Sequence, residues 1–189
     1  MERTSFSAFS AKLARRWPTA LAVLSAVVIL GGDTGLGMVQ GLGEVIPLLA
    51  LEYVLLAKIG RRGATWPVVV AGSAVLTAAQ VIGVVSPVVV LFAIALAVLV
   101  WGAVDGQLRR PGALRVQAWG MLGFGALAVA GLALEPAAGR WLIAAGWLAH
   151  GVWDFVHLKR DAVVSRSYAE WCGVLDVLVA TGLIVLTVF

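Results

Sequence analysis

Residues 87–105 of the chain, PVVVLFAIALAVLVWGAVD, are apolar except for a single aspartate at their last position. An α-helix rises about 1.5 Å per residue, so about 20 such residues cross the roughly 30 Å hydrocarbon core of a bilayer. The whole chain has the same character, since 61% of its 189 residues are hydrophobic and 13% are charged. Soluble domains are about half apolar and about a quarter charged. The sequence therefore predicts an integral membrane protein.

Six further apolar runs lie on either side of this stretch. Together with it they give seven predicted spans, at residues 17–32, 36–58, 66–84, 87–105, 114–134, 140–158 and 168–188. Residues 1–16 form a short polar N-terminal arm and no linker divides the remainder, so we predict a single transmembrane domain over residues 1–189. Because an α-helix satisfies its own backbone in lipid, the predicted fold class is all-α, a polytopic bundle of seven helices.

The distribution of basic residues orients the spans. If the N-terminus lies in the cytoplasm, the N-terminal arm and the inner loops hold 13 of the 14 Lys and Arg residues, and only Arg140 lies outside. The positive-inside rule requires this asymmetry. We therefore predict a cytoplasmic N-terminus and an external C-terminus. Arginine outnumbers lysine 11 to 3 and Ala, Val and Gly are abundant, which indicates a GC-rich genome and the plasma membrane of a bacterium.

Span six carries the sequence HGVWDFVH at residues 150–157. His150, Asp154 and His157 follow one another at i, i+4 and i+7, a spacing that aligns them on one face of a helix. Ionisable side chains inside a membrane are costly and commonly functional. Glu52 in span two and Asp176 in span seven are predicted to lie at about the same depth as His150 and Asp154. This depth is roughly 7–13 Å below the inner surface of the membrane. We expect His150, Asp154 and Asp176 to share one cavity that opens toward the inner leaflet.

Two histidines and a carboxylate are the usual ligand set for zinc or non-haem iron. The trio of span six covers about 10 Å of helix, which is too far for all three residues to bind one ion. We therefore assign His150, Asp154 and Asp176 as metal ligands, with zinc as the candidate ion. His157 and Glu52 are assigned as the catalytic residues that move protons, since histidine titrates near neutral pH and a metal ion acidifies its bound water to about pKa 7.

This chemistry makes a metal-dependent lipid hydrolase the first hypothesis, and two others stay open. A transporter or channel would use Glu44, Glu52, Asp154 and His150 as a proton path. A structural subunit would use its polar residues only as hydrogen bonds between helices. The polar residues gather near the inner side, which favours the enzyme, because a transporter distributes them across the membrane. The expected partners are the bilayer, a lipid substrate, and a second copy or another membrane subunit, and not nucleic acid.

Three simpler predictions concern other polar residues. Cys172 is the only cysteine, which excludes an intramolecular disulfide, and it is expected to be a small buried apolar residue. Ser167-Tyr168-Ala169-Glu170 has capping-box spacing, so Glu170 is expected to bond back to the start of its helix. Gln40, Glu44 and Gln80 are expected to line a vestibule on the outer side.

The stretch from WLAHGVWDFVHLKRDAVV through SRSYAEWCGVLD, residues 147–176, resembles one in small multipass membrane proteins of actinobacteria that carry no established function. The resemblance implies a membrane location. In a weaker way the chain is similar to the seven-span membrane hydrolases that include ceramidases and relatives of the adiponectin receptor. Those proteins place histidines and an aspartate around zinc at the cytoplasmic side. Their paired histidines lie in the last span, where this chain has none, so the resemblance implies a chemistry and no residue roles.

Overall fold

The computed structural model of the protein describes residues 16–32 and 35–185, which contain seven α-helices and no strand. The helices are α1 (Trp17–Leu30), α2 (Leu36–Ile59), α3 (Thr65–Ile82), α4 (Pro87–Val104), α5 (Ala113–Ala133), α6 (Pro136–Arg160) and α7 (Arg166–Val185). Short 3-10 helices at Arg62–Ala64 and Gln107–Arg109 precede α3 and α5. The all-α class is confirmed, and each predicted span overlaps one helix. The N-terminal arm up to residue 15 and the predicted end of span seven lie outside the described residues.

The surface of the bundle is apolar and its interior holds polar side chains. Four segments are long and apolar enough to cross a membrane, namely Arg62–Ile82, Pro87–Val104, Ala113–Ala133 and Arg166–Val185. Trp17–Leu30 is apolar but shorter. Val81 and Val104 are about four-fifths exposed, whereas Glu52 and Asp176 are buried. This distribution fits helices surrounded by lipid, where polar groups must face protein.

α2 forms the centre of the bundle, in contact with α3, α4, α5 and α6. From Ile46 to Val54 every one of its residues is buried, so the helix is enclosed on all sides over that stretch. α6 and α7 form the most extensive helix pair, and α7 in turn packs against α1. The expected neighbours α6 and α7 are therefore adjacent, and α2 lies against α6.

Helices α2 and α3 end at glycines in the left-handed conformation. Gly60 and Gly83 have φ angles of 65° and 67°, and their backbone N–H groups donate to Leu56 O and Ala79 O. A side chain is strained at such a φ, which is why glycine is common directly after a helix. Each helix therefore ends directly before its glycine, close to the end of the corresponding apolar run.

Ion pairs join the helix ends on the side of the bundle that carries the basic loops. The buried Lys58 ammonium pairs with Asp105 and lies 4.1 Å from the centre of the Trp101 ring. The hydrogen bond from the Lys58 ammonium holds the pKa of the Asp105 carboxyl below its usual range. Arg62 pairs with Asp161 after α6. These contacts bring the three loops 60–64, 105–112 and 161–165 to one end of the bundle.

Candidate metal centre

The contact between α6 and α7 is close because each helix presents a glycine to the other. A Cβ atom added to Gly151 would lie 3.1 Å from the Cβ of Asp176, and one added to Gly173 would lie 3.2 Å from the Cβ of Asp154. Both distances are shorter than an ordinary van der Waals contact between carbon atoms. The two glycines therefore let the carboxylates of α6 and α7 approach each other across the helix interface.

The His150 imidazole lies between these two carboxylates. Its Nδ1 atom is 2.8 Å from Asp176 Oδ2 and 3.2 Å from Asp154 Oδ2. All three side chains are 0% exposed. The structure thus brings together the three residues that the sequence assigns as metal ligands, with His150 and Asp154 from α6 and Asp176 from α7. The expectation that they open toward the inner leaflet is wrong for this conformation, because the packing at the two glycines leaves their side chains fully enclosed.

Two further side chains complete the cluster, and sequence reasoning did not assign them to it. The Tyr53 hydroxyl of α2 donates to Asp154 Oδ1 at 2.5 Å. The Cys172 thiol is directed at Asp176 Oδ1 at 3.7 Å. One ligand atom from each of His150, Asp154, Cys172 and Asp176 lies within 4.8 Å of the other three. Cys172 is buried, as predicted, and its thiol is also a polar neighbour of the Asp176 carboxylate.

The cluster places two carboxylates around one imidazole. The ion pairs described for the two aspartates involve His150 alone. A single Nδ1–H cannot donate a full hydrogen bond to both carboxylates. Asp154 Oδ2 and His150 Nε2 are both buried and have no hydrogen-bond partner among the described residues. A buried charge without a partner is strongly disfavoured, so this arrangement calls for a bound cation or an extra proton between the carboxylates.

Glu52 belongs to a neighbouring pair rather than to the cluster. Its Oε2 atom accepts a short hydrogen bond from the Tyr168 hydroxyl of α7. The Tyr168 ring packs against the Tyr53 ring at a centroid distance of 6.2 Å, so the two tyrosines separate Glu52 from the aspartates. Glu52 also lines an apolar cavity of about 540 Å³.

His157 packs against the Tyr53 ring at a centroid distance of 4.8 Å, but its hydrogen bonds go to other residues. Its Nδ1 atom donates to the Trp153 backbone carbonyl at 2.8 Å. Its Nε2 atom therefore accepts from the Gln117 amide at 2.9 Å, and Gln117 Oε1 accepts from the Trp153 indole at 3.0 Å. Every polar atom of the ring has a partner, which fixes the neutral tautomer with the proton on Nδ1. His157 shares a helix face with His150 and Asp154 but has different hydrogen-bond partners.

The predicted capping box at the start of α7 does not form. Glu170 instead accepts from the Thr19 hydroxyl of α1 at 2.6 Å and lies 3.5 Å from Arg16. The Ser165 hydroxyl accepts from the Tyr168 backbone N–H at 3.3 Å and takes the capping role. Because α1 packs on α7, a hydroxyl partner from another helix displaces the local backbone bond.

The polar residues predicted on the outer side do gather. Glu44 Oε2 accepts from the Gln80 amide at 3.0 Å, and Oε1 accepts from the Gln40 amide at 3.4 Å. All three line a cavity of about 280 Å³. On α2, Glu44 and Glu52 are eight positions apart, which corresponds to about 12 Å of helix, and the residues from Ile46 to Leu51 between them are buried and apolar.

A comparison of the chain with protein-family models, with curated proteins and with solved structures finds no match. The chemistry of the site is therefore derived from its own residues.

Proposed function

We propose that the protein is a seven-span protein of the bacterial plasma membrane and that its His/Asp cluster binds one divalent transition metal ion for the hydrolysis of a lipid. The single observation that supports this most strongly is the convergence of His150, Asp154, Cys172 and Asp176 within 4.8 Å. Nitrogen, oxygen and sulfur donors together suit zinc. The bound cation would balance the two carboxylates and would use the oxygen of Asp154 that has no hydrogen-bond partner.

A metal ion bound here would polarise a substrate carbonyl and acidify a water molecule. The cluster residues would hold the ion, the ion would supply the acidified water, and Glu52 would accept a proton from the water that attacks the carbonyl carbon. Glu52 then delivers the proton to the leaving oxygen, and an ester is cleaved to an acid and an alcohol. The Tyr53 and Tyr168 hydroxyls lie between Glu52 and the aspartates, so these two side chains must move before substrate reaches the cluster. His157 takes no part in proton transfer in this proposal, because both of its ring nitrogens are already bonded.

Metal analysis of the purified protein tests the first half of the proposal. We expect about one equivalent of zinc or a similar ion in the wild type and a loss of most of it in Asp154→Asn, because asparagine keeps the shape of the side chain but lacks the charge that a cation requires. Glu44→Gln makes the same chemical change at a half-buried site outside the cluster and serves as the control. Equal metal content in a folded Asp154→Asn protein would contradict the metal centre.

Formation of the hydrolysis product tests the second half of the proposal, which is the lipid hydrolase activity. Purified protein incubated with a mixed bacterial lipid extract should liberate fatty acid, and both Asp154→Asn and Glu52→Gln should reduce the rate by at least about 100-fold, a typical loss for an acid–base residue. A wild type that binds metal but releases no product would overturn the hydrolase while leaving the metal centre in place.

One observation favours a second candidate, a proton-coupled transporter. Helix α2 carries Glu44 with its glutamine partners near one end and Glu52 toward the other, so a single helix bears a carboxylate in each half of the bundle. Proton flux into vesicles that contain the protein tests it. Glu44→Gln and Glu52→Gln should each abolish the flux if α2 carries protons, and neither should change metal content.

A further inference from the structure

The larger cavity that Glu52 lines is mostly apolar. It lies between α1, α2, α3, α6 and α7 and has a volume of about 540 Å³, within the ~300–1,000 Å³ range of small-molecule sites. Along α2 it extends from Leu42 to Glu52, which corresponds to about 15 Å at 1.5 Å per residue. That length is about half of the hydrocarbon core of a bilayer. Ser25 and Ser73 are the other polar side chains on its wall.

A carboxylate and an unpartnered indole N–H lie on the wall of this cavity. Glu52 is 2% exposed, and its Oε2 atom is bonded to Tyr168. Trp171 also lines the cavity, and its indole Nε1 atom is buried without a partner among the described residues. Buried polar groups are nearly always hydrogen-bonded. The Trp171 N–H therefore points to a ligand with an acceptor oxygen, and the Glu52 carboxylate on the same wall suits a ligand that also donates a hydrogen bond.

Aromatic rings close the cavity toward the basic loops. Trp66 packs against Trp17, Tyr168 and Trp171 at centroid distances of 5.7, 6.0 and 5.5 Å. Of these rings, Trp171 lines the cavity and Tyr168 bonds Glu52 through its hydroxyl. On the opposite side the cavity is open to lipid, since Leu24, Val28 and Ser73 all line it and are exposed.

We propose that the cavity binds a single-chain lipid with a small uncharged polar end, such as a long-chain alcohol, which enters from the bilayer between α1 and α3. Its hydroxyl donates to the Glu52 carboxylate and accepts from the Trp171 indole, and its chain extends along α2 toward Leu42. A fatty acid would bring a second carboxylate against Glu52, and the described residues of the wall offer no basic side chain to the phosphate of a phospholipid headgroup. This inference rests on the proposed function, because a long-chain alcohol is what hydrolysis of its ester releases.

A photoactivatable long-chain alcohol is the probe, used with the purified full chain in detergent. We expect the label on peptides of α1, α2 and α3, displaced by unlabelled alcohol but not by phosphatidylcholine. Ser73→Phe fills the cavity from α3 and should lower labelling about tenfold, which is the effect of ~1.4 kcal/mol on binding. Ala74→Phe adds the same ring at the exposed neighbouring position, away from the cavity wall, and should label like the wild type.

Recognition of the ligand's hydroxyl is tested with a photoactivatable alkane of the same length that lacks it. Glu52→Leu should reduce labelling by the alcohol and leave labelling by the alkane unchanged. If Ser73→Phe labels like Ala74→Phe, or if phosphatidylcholine displaces the probe, the site is only annular lipid and the inference is overturned. Asp154→Asn should lose metal and keep alcohol binding, so failure of the metal centre is distinguishable from failure of the lipid site.

Discussion

Asp161 ends α6 in the left-handed conformation, with a φ of 50°. Aspartate and asparagine are among the few residues other than glycine that adopt this conformation readily. Its carboxylate accepts a hydrogen bond from Arg62 and lies 3.6 Å from Arg166. The Arg62 guanidinium holds the pKa of Asp161 below its ordinary value of 3.8. Asp161 thus adopts the backbone turn that ends α6 and joins the α6–α7 loop to the 3-10 helix that precedes α3.

This lowered pKa gives a pH dependence of stability with a definite sign. The ionised carboxylate stabilises the folded state above the pKa of the unfolded chain, about 3.9, and this contribution disappears as pH falls through the lower folded pKa. We expect the unfolding temperature of the wild type in detergent to fall more steeply below about pH 4 than that of Asp161→Asn, which keeps the turn and loses the titration. Above about pH 5 the two should differ by a constant offset. Parallel curves through the acid range would show that the ion pair is not linked to folding.

The polar face of α6 shows what sequence spacing determines at the residue scale. The i, i+4, i+7 pattern correctly places His150, Asp154 and His157 on one side of the helix. Whether a histidine joins the cluster depends on its partner from another helix, which is Asp176 for His150 and Gln117 for His157. Hydrophobicity and spacing carry no information about that pairing, so the pattern alone could not separate a ligand from a hydrogen-bonded neighbour.

Helix α7 holds Asp176 in place only because Gly173, three residues earlier, permits a close approach to α6. A Cβ at Gly173 would lie 3.2 Å from the Cβ of Asp154 and 3.1 Å from a ring carbon of Phe155. The first neighbour is bonded directly to the backbone of α6, and the second belongs to an aromatic ring. Neither can shift without disturbing the packing around it. Sequence analysis identified the carboxylates but not the glycines, because a glycine's role depends on which helix lies opposite.

Gly173→Ala should therefore separate α6 and α7 slightly and weaken the site. Alanine gains about 0.5–1 kcal/mol in helix propensity, while overpacking in a close interface costs about 1–3 kcal/mol, so we expect a net loss of about 1 kcal/mol. Thermal unfolding and metal affinity of the purified protein measure the two consequences. Gly123→Ala on α5, where an added Cβ meets nothing within 4 Å, is the control and should be neutral or slightly stabilising. A Gly173→Ala protein with unchanged metal affinity would show that the cluster does not depend on this contact.

At the scale of the whole molecule, hydropathy predicted the helices and not their arrangement. Seven apolar runs gave seven helices, because each run is long enough for one helix and is bounded by glycine, proline or charge. The enclosure of α2 by four neighbours and the packing of α1 on α7 depend on side-chain shape and hydrogen bonds across helices. The Thr19–Glu170 and Tyr53–Asp154 bonds join residues more than 100 positions apart in the sequence, which no local pattern encodes.

The proposed topology makes a prediction about both ends of the bundle. In the described residues, the basic side chains other than Arg140 belong to the end where Lys58 pairs with Asp105 and Arg62 with Asp161. If all seven helices cross the membrane, the positive-inside rule puts that end in the cytoplasm and the C-terminus outside. Alkaline phosphatase, which is active only outside, should therefore be active when fused after Phe189 and inactive when inserted after Arg110. A green fluorescent protein that folds only in the cytoplasm should give the opposite pattern at the two positions. Phosphatase inactive and fluorescence present at Phe189 would mean that one helix does not span, and the short α1 would be the first to re-examine because it has 14 residues.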